Sequence, residues 1–246
     1  MLQEKIGIII EARSNSSRLK DKHFLKINRK PIIHHMINRV KLIKNVDEII
    51  IATTKRKDDD KFEIFCSKEK IKLFRGSENN VMKRVLDAAK KFQLTIICEI
   101  TGDCPFVDFE LAENMIGEFL KSKHDYYSMS KSQYPHGVGV QVLSLEALSR
   151  SHKMVNNKYD LEHVTTHIKR NNQSFKIKYI KAPKKLRYPE IKLLLDEKQD
   201  FIFLKDLLIY FKDKNNYHFK TKDIIEAVRK KKIILSNNKV KRNLIK

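Results

Sequence analysis

The chain has 246 residues, and its 52 Lys and Arg against 30 Asp and Glu give a formal net charge of +22. This length suits one large domain, and an apolar content of 41% with only 6 Gly and 5 Pro excludes collagenous and low-complexity chains. The N-terminus shows no small-residue cleavage site and no apolar run reaches the roughly 18 residues that span a bilayer, so we expect a cytoplasmic protein without membrane insertion.

The predicted elements alternate between strands and helices along the chain. Residues 5–11 and 46–53 are apolar at successive positions, which predicts buried parallel strands. Between them, apolar residues at spacings of three and four in 31–43 predict an amphipathic helix. Further strands are predicted at 71–74, 95–100, 124–129, 138–143, 175–180 and 191–195, and further helices at 58–70, 78–92, 109–121, 145–154, 160–169, 201–210 and 221–230. The alternation predicts an α/β fold in which a mostly parallel sheet is flanked by helices.

Basic residues are scattered along the whole chain and become dense near its end. We therefore expect a single domain at 1–234, followed by a basic, flexible tail at 235–246. The charge favours a polyanion, an acidic membrane surface or a phosphate-bearing small molecule, but it does not choose among them. The chain has no zinc-finger spacing, no RNP-like aromatic motif and no Trp, so nucleic acid is the less favoured partner.

The loop after the first predicted strand concentrates cations and hydroxyl groups. Residues 11–22 carry Arg13, Arg18 and Lys22 interleaved with serines. In an open α/β sheet, ligands bind outside the carboxyl ends of the strands, and guanidinium groups chelate phosphate oxygens. No glycine-rich nucleotide motif is present, so this is not a Walker loop, but its cations, hydroxyls and backbone N–H groups together suit a triphosphate. The alternative is an ordinary loop on a basic surface.

Two acidic residues follow apolar runs farther along the chain. Asp103 comes after the strand predicted at 95–100, and Asp196 comes after the strand predicted at 191–195. An Asp at a strand end, together with phosphate oxygens, is a common way to hold Mg²⁺. The alternative for each residue is a turn cap.

Two histidines, His163 and His167, would share one face of the helix predicted at 160–169. This spacing could provide two metal ligands, but the Glu of the H-E-x-x-H motif is absent because Val164 follows His163. Polar packing or ligand contact is therefore favoured over zinc.

Six segments occur in an order that is typical of one enzyme family. They are R-S-N-S-S-R-L-K-D-K at 13–22, K-P-I-I-H-H at 30–35, R-G-S-E-N-N-V at 75–81, T-G-D-C-P at 101–105, E-H-V-T at 162–165 and L-D-E-K-Q-D at 195–200. The chain resembles the cytidylyltransferases that make CMP-activated acidic sugars, including CMP-Kdo synthetase and acylneuraminate cytidylyltransferase. It is most similar to the branch named after a spore-coat polysaccharide biosynthesis protein.

The resemblance implies a nucleotidyltransferase fold like that of glycosyltransferase-A domains, CTP as donor, Mg²⁺ as cofactor, release of pyrophosphate and a homodimer. The acceptor would be a sugar acid or a sugar phosphate, and the product would serve surface glycan biosynthesis. By position, the implied site residues are Arg18 and Lys22 for catalysis, Ala12, Arg13, Ser17, Arg75 and Ser77 for the nucleotide, Gln141, Glu162 and His163 for the acceptor, and Asp103 and Asp196 for the metal.

The chain departs from the branch at several positions. Lys20 replaces a usual Pro, and Glu99 stands where an Arg is frequent. Gly139 and Gln141 stand where the branch tends to show Asp and Glu, which suggests a more anionic acceptor. Two alternatives remain open: a sugar-1-phosphate nucleotidyltransferase that makes an NDP-sugar, and a non-catalytic protein that binds polyanions.

Overall fold

Buried apolar strands build the main sheet of the computed structural model, which describes residues 4–130, 132–214 and 218–235. In the first strand Ile8, Ile9 and Ile10 are fully buried, because helices cover both faces of the sheet there. The strands are β1 (Ile6–Glu11), β2 (Lys26–Ile27), β3 (Lys30–Pro31), β4 (Glu48–Thr54), β5 (Lys72–Gly76), β6 (Ile96–Thr101), β7 (Tyr126–Met129), β8 (Gln141–Ser144) and β9 (Ile177–Ile180).

The main sheet has the strand order β5-β4-β1-β6-β8-β7-β9 within the described residues, and β2 and β3 form a separate antiparallel pair. β8 runs antiparallel to β6 and β7, whereas the other neighbouring strands are parallel. The predicted mostly parallel sheet is therefore confirmed. The carboxyl end of β1 lies between those of β4 and β6, so the loop that follows β1 opens beside both of them.

Helices pack on both faces of the sheet, as predicted. They are α1 (Ile32–Val40), α2 (Lys61–Glu69), α3 (Val81–Lys91), α4 (Phe109–Leu120), α5 (Leu145–Met154), α6 (Lys158–Glu162), α7 (Thr166–Arg170), α8 (Lys198–Asp213) and α9 (Thr221–Arg229). Alternate residues of β1 belong to two apolar clusters: Ile8 and Ile10 pack with Met36 of α1, and Ile9 packs with Val85 of α3. Every helix in the described parts of the chain is too short or too polar to cross a bilayer.

The prediction of a strand at 191–195 is wrong. Ile191, Leu193 and Leu195 are buried, so the sequence alternates as a strand does. Their backbone, however, pairs with loops: Leu193 N donates to His136 O at 2.8 Å and Leu195 N donates to Asp103 O at 2.8 Å. Asp196 thus follows an extended segment that lies against the loop after β6, and not a strand of the sheet.

The helix predicted at 160–169 is also wrong, because it is interrupted. α6 ends at Glu162 and α7 begins at Thr166. The run Val164-Thr165-Thr166 is β-branched and disfavours a continuous helix, Val164 is buried, and the Thr165 hydroxyl donates to Gln141 Oε1 at 2.7 Å. The two histidines therefore do not share a helix face.

The boundary predicted between the domain and its tail falls at the edge of the described residues. Leu235 packs against the larger apolar cluster. The rest of the predicted tail, 236–246, lies outside the described residues, and the division into domain and tail stays a prediction.

Asp108 joins two parts of the fold that are distant in sequence. Its Oδ1 accepts hydrogen bonds from Glu110 N at 3.0 Å and Leu111 N at 3.1 Å, which caps α4, and its Oδ2 accepts from Thr221 N at 2.7 Å, at the start of α9. We expect Asp108→Ala to lower the free energy of unfolding by about 1–3 kcal/mol, because buried donors lose their acceptor. Denaturant unfolding measures this loss.

Asp108→Asn is the matched variant, because it keeps one oxygen for the α4 cap and replaces the acceptor that serves Thr221 N with an amide donor. It should lie between the wild-type and Ala proteins in stability. Equal stability of all three proteins would contradict this role of Asp108.

Candidate functional site

The cation-rich loop after β1 is held in place by a buried carboxylate from the β4–α2 connection. Asp59 is 1% exposed, and its Oδ1 accepts a hydrogen bond from Ser14 N at 2.7 Å. Its Oδ2 accepts from Thr54 N at 3.2 Å and from the Thr54 hydroxyl. Burial alone would raise the pKa of Asp59, but these hydrogen bonds outweigh it and lower the pKa below its ordinary value. Asp59 thus fixes the start of the loop relative to β4.

Lys22 lies between the two carboxylates that the sequence singled out. It is in a short 3-10 helix, Lys22–Phe24, and is 9% exposed. Its Nζ lies 3.2 Å from Asp196 Oδ1 and 3.7 Å from Asp103 Oδ2, and Arg18 Nη2 lies 3.0 Å from the same Asp196 oxygen. Tertiary contacts thus bring together four predicted site residues from three distant segments of the chain.

Hydrogen bonds of the backbone around Asp196 also position this residue. Leu195 N donates to Asp103 O, which ties the two acidic residues together. The Asp200 carboxylate accepts from Asp196 N and Glu197 N, both at 3.0 Å, at the beginning of α8. The Asp196 side chain therefore projects from a braced turn toward Lys22.

The electrostatics of this region keep Asp103 ionised and His23 neutral. Burial would raise the pKa of Asp103, but the Lys22 ammonium and the Thr101 hydroxyl outweigh it and lower the pKa below its usual value. Burial, followed by repulsion from Lys22, lowers the pKa of His23 to about 4. At neutral pH the site thus presents a carboxylate at Asp103 and an uncharged imidazole beside it.

Asp103 and Asp196 suit a magnesium ion by their chemistry. Mg²⁺ is usually held by one or two carboxylates together with substrate phosphates and water. No cluster of three or more His, Cys, Asp or Glu side chains that could hold a metal occurs in the described ranges, so an ion here would take its other ligands from phosphate and water. The two carboxylates and the cationic loop provide complementary parts of such a site.

A cleft of about 600 Å³ opens above these groups. Its opposite sides are joined by an ion pair 3.1 Å long between Arg13 Nη2 and Glu162 Oε1. The predicted site residues that line it are Ala12, Arg13, Ser17, Arg18, Lys22, Asp103, Glu162, His163 and Asp196. Cations, carboxylates and the imidazoles of His23 and His163 thus share a single concave surface, which suits a phosphorylated ligand that has a polar second part.

A family model described as Cytidylyltransferase matches residues 7–241. The chain belongs to the cytidylyltransferase family. As a cytidylyltransferase, it is a CTP-dependent nucleotidyltransferase with an α/β fold.

Three similar proteins illustrate the range of this family. The spore coat polysaccharide biosynthesis protein SpsF of Bacillus subtilis is 30% identical over 208 residues, which cover 82% of this chain and 85% of SpsF. The 8-amino-3,8-dideoxy-manno-octulosonate cytidylyltransferase of Shewanella frigidimarina is 30% identical over 125 residues, which are 50% of each chain. The structure of a cytidylyltransferase from Leptospira borgpetersenii superposes with a TM-score of 0.89 at 28% identity, covering 98% of this chain and all of that one.

Arg75 and Ser77 are not brought into the main cleft of this cytidylyltransferase. They line a neighbouring depression of about 570 Å³ together with Lys55 and Arg56. Arg75 Nε donates to Thr54 O at 3.0 Å, and its Nη2 donates to Arg56 O at 2.7 Å. Arg75 thus braces the connection that carries Asp59, and its predicted contact with the nucleotide stays a prediction.

Both the nitrogen and the oxygen of the Gln141 side-chain amide form hydrogen bonds within the protein. Its Nε2 donates to Glu99 Oε2, and its Oε1 accepts from the hydroxyls of Tyr126 and Thr165. Glu162 and His163 line the cleft, whereas Gln141 is not among the lining residues. His167, on the separate helix α7, lies with Nδ1 3.0 Å from Ser151 Oγ. The acceptor-binding role of Gln141 stays a prediction.

Sequence reasoning missed Asp59, His23 and Glu11, which all contribute to the site. Asp59 stands in the run Asp58-Asp59-Asp60, where only the fold distinguishes the buried member. The acidic end of an otherwise apolar β1 was an available signal for Glu11, since a buried strand rarely ends in a carboxylate without a partner.

Asp59→Ala should destabilise the fold and loosen the cationic loop. We expect a loss of about 1–3 kcal/mol in the free energy of unfolding, because Ser14 N and two donors of Thr54 lose a buried acceptor. Urea unfolding measures the loss. Asp58→Ala is the control, since Asp58 is an exposed neighbour that forms an ion pair with Arg56 at a distance of 3.6 Å. Equal losses in the two variants would contradict the anchoring role.

His23 should make stability depend on pH. Its folded-state pKa is about 4 against about 6.5 when unfolded, so only the unfolded chain takes up a proton as the pH falls below 6.5. Stability is therefore lost as the pH falls from 6.5 toward 4, by roughly 2 kcal/mol between pH 7 and pH 5 from this group. His23→Gln should remove that part of the pH dependence in denaturant unfolding, and an unchanged slope would refute the assignment.

Proposed function

We propose that this cytidylyltransferase transfers CMP from CTP to an acidic sugar, with Mg²⁺ and release of pyrophosphate, to supply a surface glycan. The observation that carries the proposal is Lys22, held between Asp103 and Asp196 beside a loop that provides Arg13 and Arg18. A triphosphate needs fixed cations, and a metal needs carboxylates. Both lie in one cleft of this chain.

The cationic residues would bind and orient the triphosphate. Arg13 and Arg18 would chelate phosphate oxygens, and Lys22 would neutralise charge that builds on the α-phosphate and the leaving pyrophosphate. The acceptor hydroxyl oxygen forms a bond to the α-phosphorus, the bond from that phosphorus to the pyrophosphate oxygen breaks, and pyrophosphate keeps the electron pair. The hydroxyl proton passes to solvent. Catalysis is then positioning and charge neutralisation.

Asp103 and Asp196 would hold the magnesium ion. When bound, Mg²⁺ supplies Lewis-acid polarisation of phosphate oxygens. The two carboxylates pair with Lys22 and Arg18, so cations for the phosphates lie beside the residues that would hold the metal.

The acidic acceptor is supported by the relatives. The Shewanella frigidimarina relative is named for a sugar acid, and the Bacillus subtilis relative is named for polysaccharide biosynthesis. In this chain Glu162 and His163 line the cleft and could contact the acceptor. A sugar-1-phosphate acceptor giving an NDP-sugar is the competing possibility. The homodimer and the cytoplasmic location stay predictions from the sequence.

The product decides between the two acceptors. The assay measures pyrophosphate release with Mg²⁺ and each of the four nucleoside triphosphates, across a panel of sugar acids and sugar phosphates. We expect release with CTP and a sugar acid, and mass spectrometry should identify the product as a CMP-sugar acid. An NDP-sugar formed from a sugar phosphate would overturn the proposal. A folded protein that neither binds CTP nor releases pyrophosphate would also overturn it.

Lys22→Ala should lower kcat by roughly 10²–10³-fold, since it removes a cation directed at developing charge. CTP affinity, measured by calorimetry, should fall much less, because the arginines remain. The control is Lys20→Ala, which removes an exposed lysine from the same loop. An equal effect on kcat and on affinity would assign Lys22 to ground-state binding.

A further inference from the structure

A row of polar side chains crosses one face of the sheet near its carboxyl edge. In the strand register Ile9 faces Glu99, and Glu99 faces Gln141. Because side chains two residues apart share a face, Glu11 lies on the same face as Glu99, one step toward the cleft. Three neighbouring strands, β1, β6 and β8, thus place Glu11, Glu99 and Gln141 side by side.

The hydrogen bonds of Gln141 set the orientation of this row. A carboxylate oxygen is an acceptor, so the atom of Gln141 that faces Glu99 is the amide nitrogen, and Gln141 Oε1 accepts from the hydroxyls of Tyr126 and Thr165. Its amide nitrogen must then donate to Glu99 Oε2. Glu99 is held in this way from the side away from the cleft, and Glu11 lies beside it on the neighbouring strand.

The electrostatic surroundings of Glu11 disfavour its charged form. Burial and the neighbouring Glu99 raise the pKa of Glu11 well above its ordinary value, while Arg84 opposes this and Asp103 adds to it. Arg84 itself donates to Ser77 O. Arg84 therefore compensates part of the Glu11 charge, and the Gln141 amide compensates Glu99.

Glu11 also faces the ligand side, since it lines the cleft. Its Oε1 is shielded from water and has no hydrogen-bond partner among the residues described. A buried polar atom without a partner is rare in native proteins and calls for an explanation. The terminal torsion of a Glu side chain is broad, so the carboxyl group can turn an oxygen toward a ligand in the cleft.

The chemistry of this oxygen restricts what it could bind. Phosphate oxygens are acceptors, as is the free oxygen of Glu11, so the triphosphate would be repelled from this spot and would lie along the arginines. A metal ion is disfavoured by the adjacent Arg84 guanidinium. The group that fits is a neutral donor, which in the substrates of such an enzyme is a hydroxyl of a sugar ring.

We propose that Glu11, at the cleft end of this polar row, is a specificity-determining residue that accepts a hydrogen bond from a sugar-ring hydroxyl in the cleft. This inference rests on the proposed function, because that function brings two sugar rings into the cleft: the ribose of CTP and the acceptor. A site built to pair with a hydroxyl discriminates against an analogue that lacks it.

The experiment compares the full-length wild-type protein, Glu11→Ala, Glu11→Gln and the control Glu118→Gln, which changes a half-exposed carboxylate on α4 paired with Lys178. Calorimetry gives the Kd of CTP, 2′-deoxy-CTP and 3′-deoxy-CTP, and pyrophosphate release gives the KM of the acceptor that the panel identifies. Circular dichroism verifies folding of each variant.

If the ribose is the partner, the wild type prefers CTP over one deoxy analogue by about 3–10-fold, the range expected of one hydrogen bond, and Glu11→Ala removes that preference. If the acceptor is the partner, the deoxy ratios stay unchanged and the acceptor KM rises by about the same factor. Glu11→Gln keeps a carbonyl oxygen and should restore part of either effect. The control should match the wild type.

A folded Glu11→Ala protein with unchanged deoxy ratios and an unchanged acceptor KM would overturn the inference and leave the proposed function standing. A wild-type protein that does not bind CTP would reject the proposed function, and the inference would fall with it.

Discussion

The site depends on one buried ammonium group and the two carboxylates that compensate it. A lysine that is 9% exposed is costly to fold unless its charge is paired, so Lys22 requires both Asp103 and Asp196 nearby. These residues come from the loop after β1, the end of β6 and the segment before α8. The requirement therefore draws three distant parts of the chain to one edge of the sheet.

The same pairing prepares the cleft for its substrates. Arg13 and Arg18 are held by Glu162 and Asp196, so the cations are already oriented when a triphosphate arrives. Preoriented charges need little reorganisation during reaction, which is the main source of electrostatic catalysis. The net charge of +22 acts at longer range, since it favours the approach of anionic nucleotides and sugar acids.

Buried polar groups around the cleft link its parts to the rigid sheet. Asp59 ties the cationic loop to β4, and Arg75 braces the connection on which Asp59 lies. On the other side, Gln141 fixes Glu99, the neighbour of Glu11 on the same face of the sheet. Functional groups placed on strand ends and supported by such contacts keep their geometry better than groups on free loops.

The sequence by itself determined the local elements and most of the residues that line the cleft. Apolar runs and periodicities depend only on near neighbours, so they predicted the α/β alternation, and ordered motifs identified Arg13, Lys22, Asp103 and Asp196. Only the tertiary structure decided that 191–195 pairs with loops, that Arg75 turns toward β4 and that Glu11 meets Glu99. Each of these outcomes depends on strand register or on contacts between residues far apart in the chain, which periodicity and spacing do not encode.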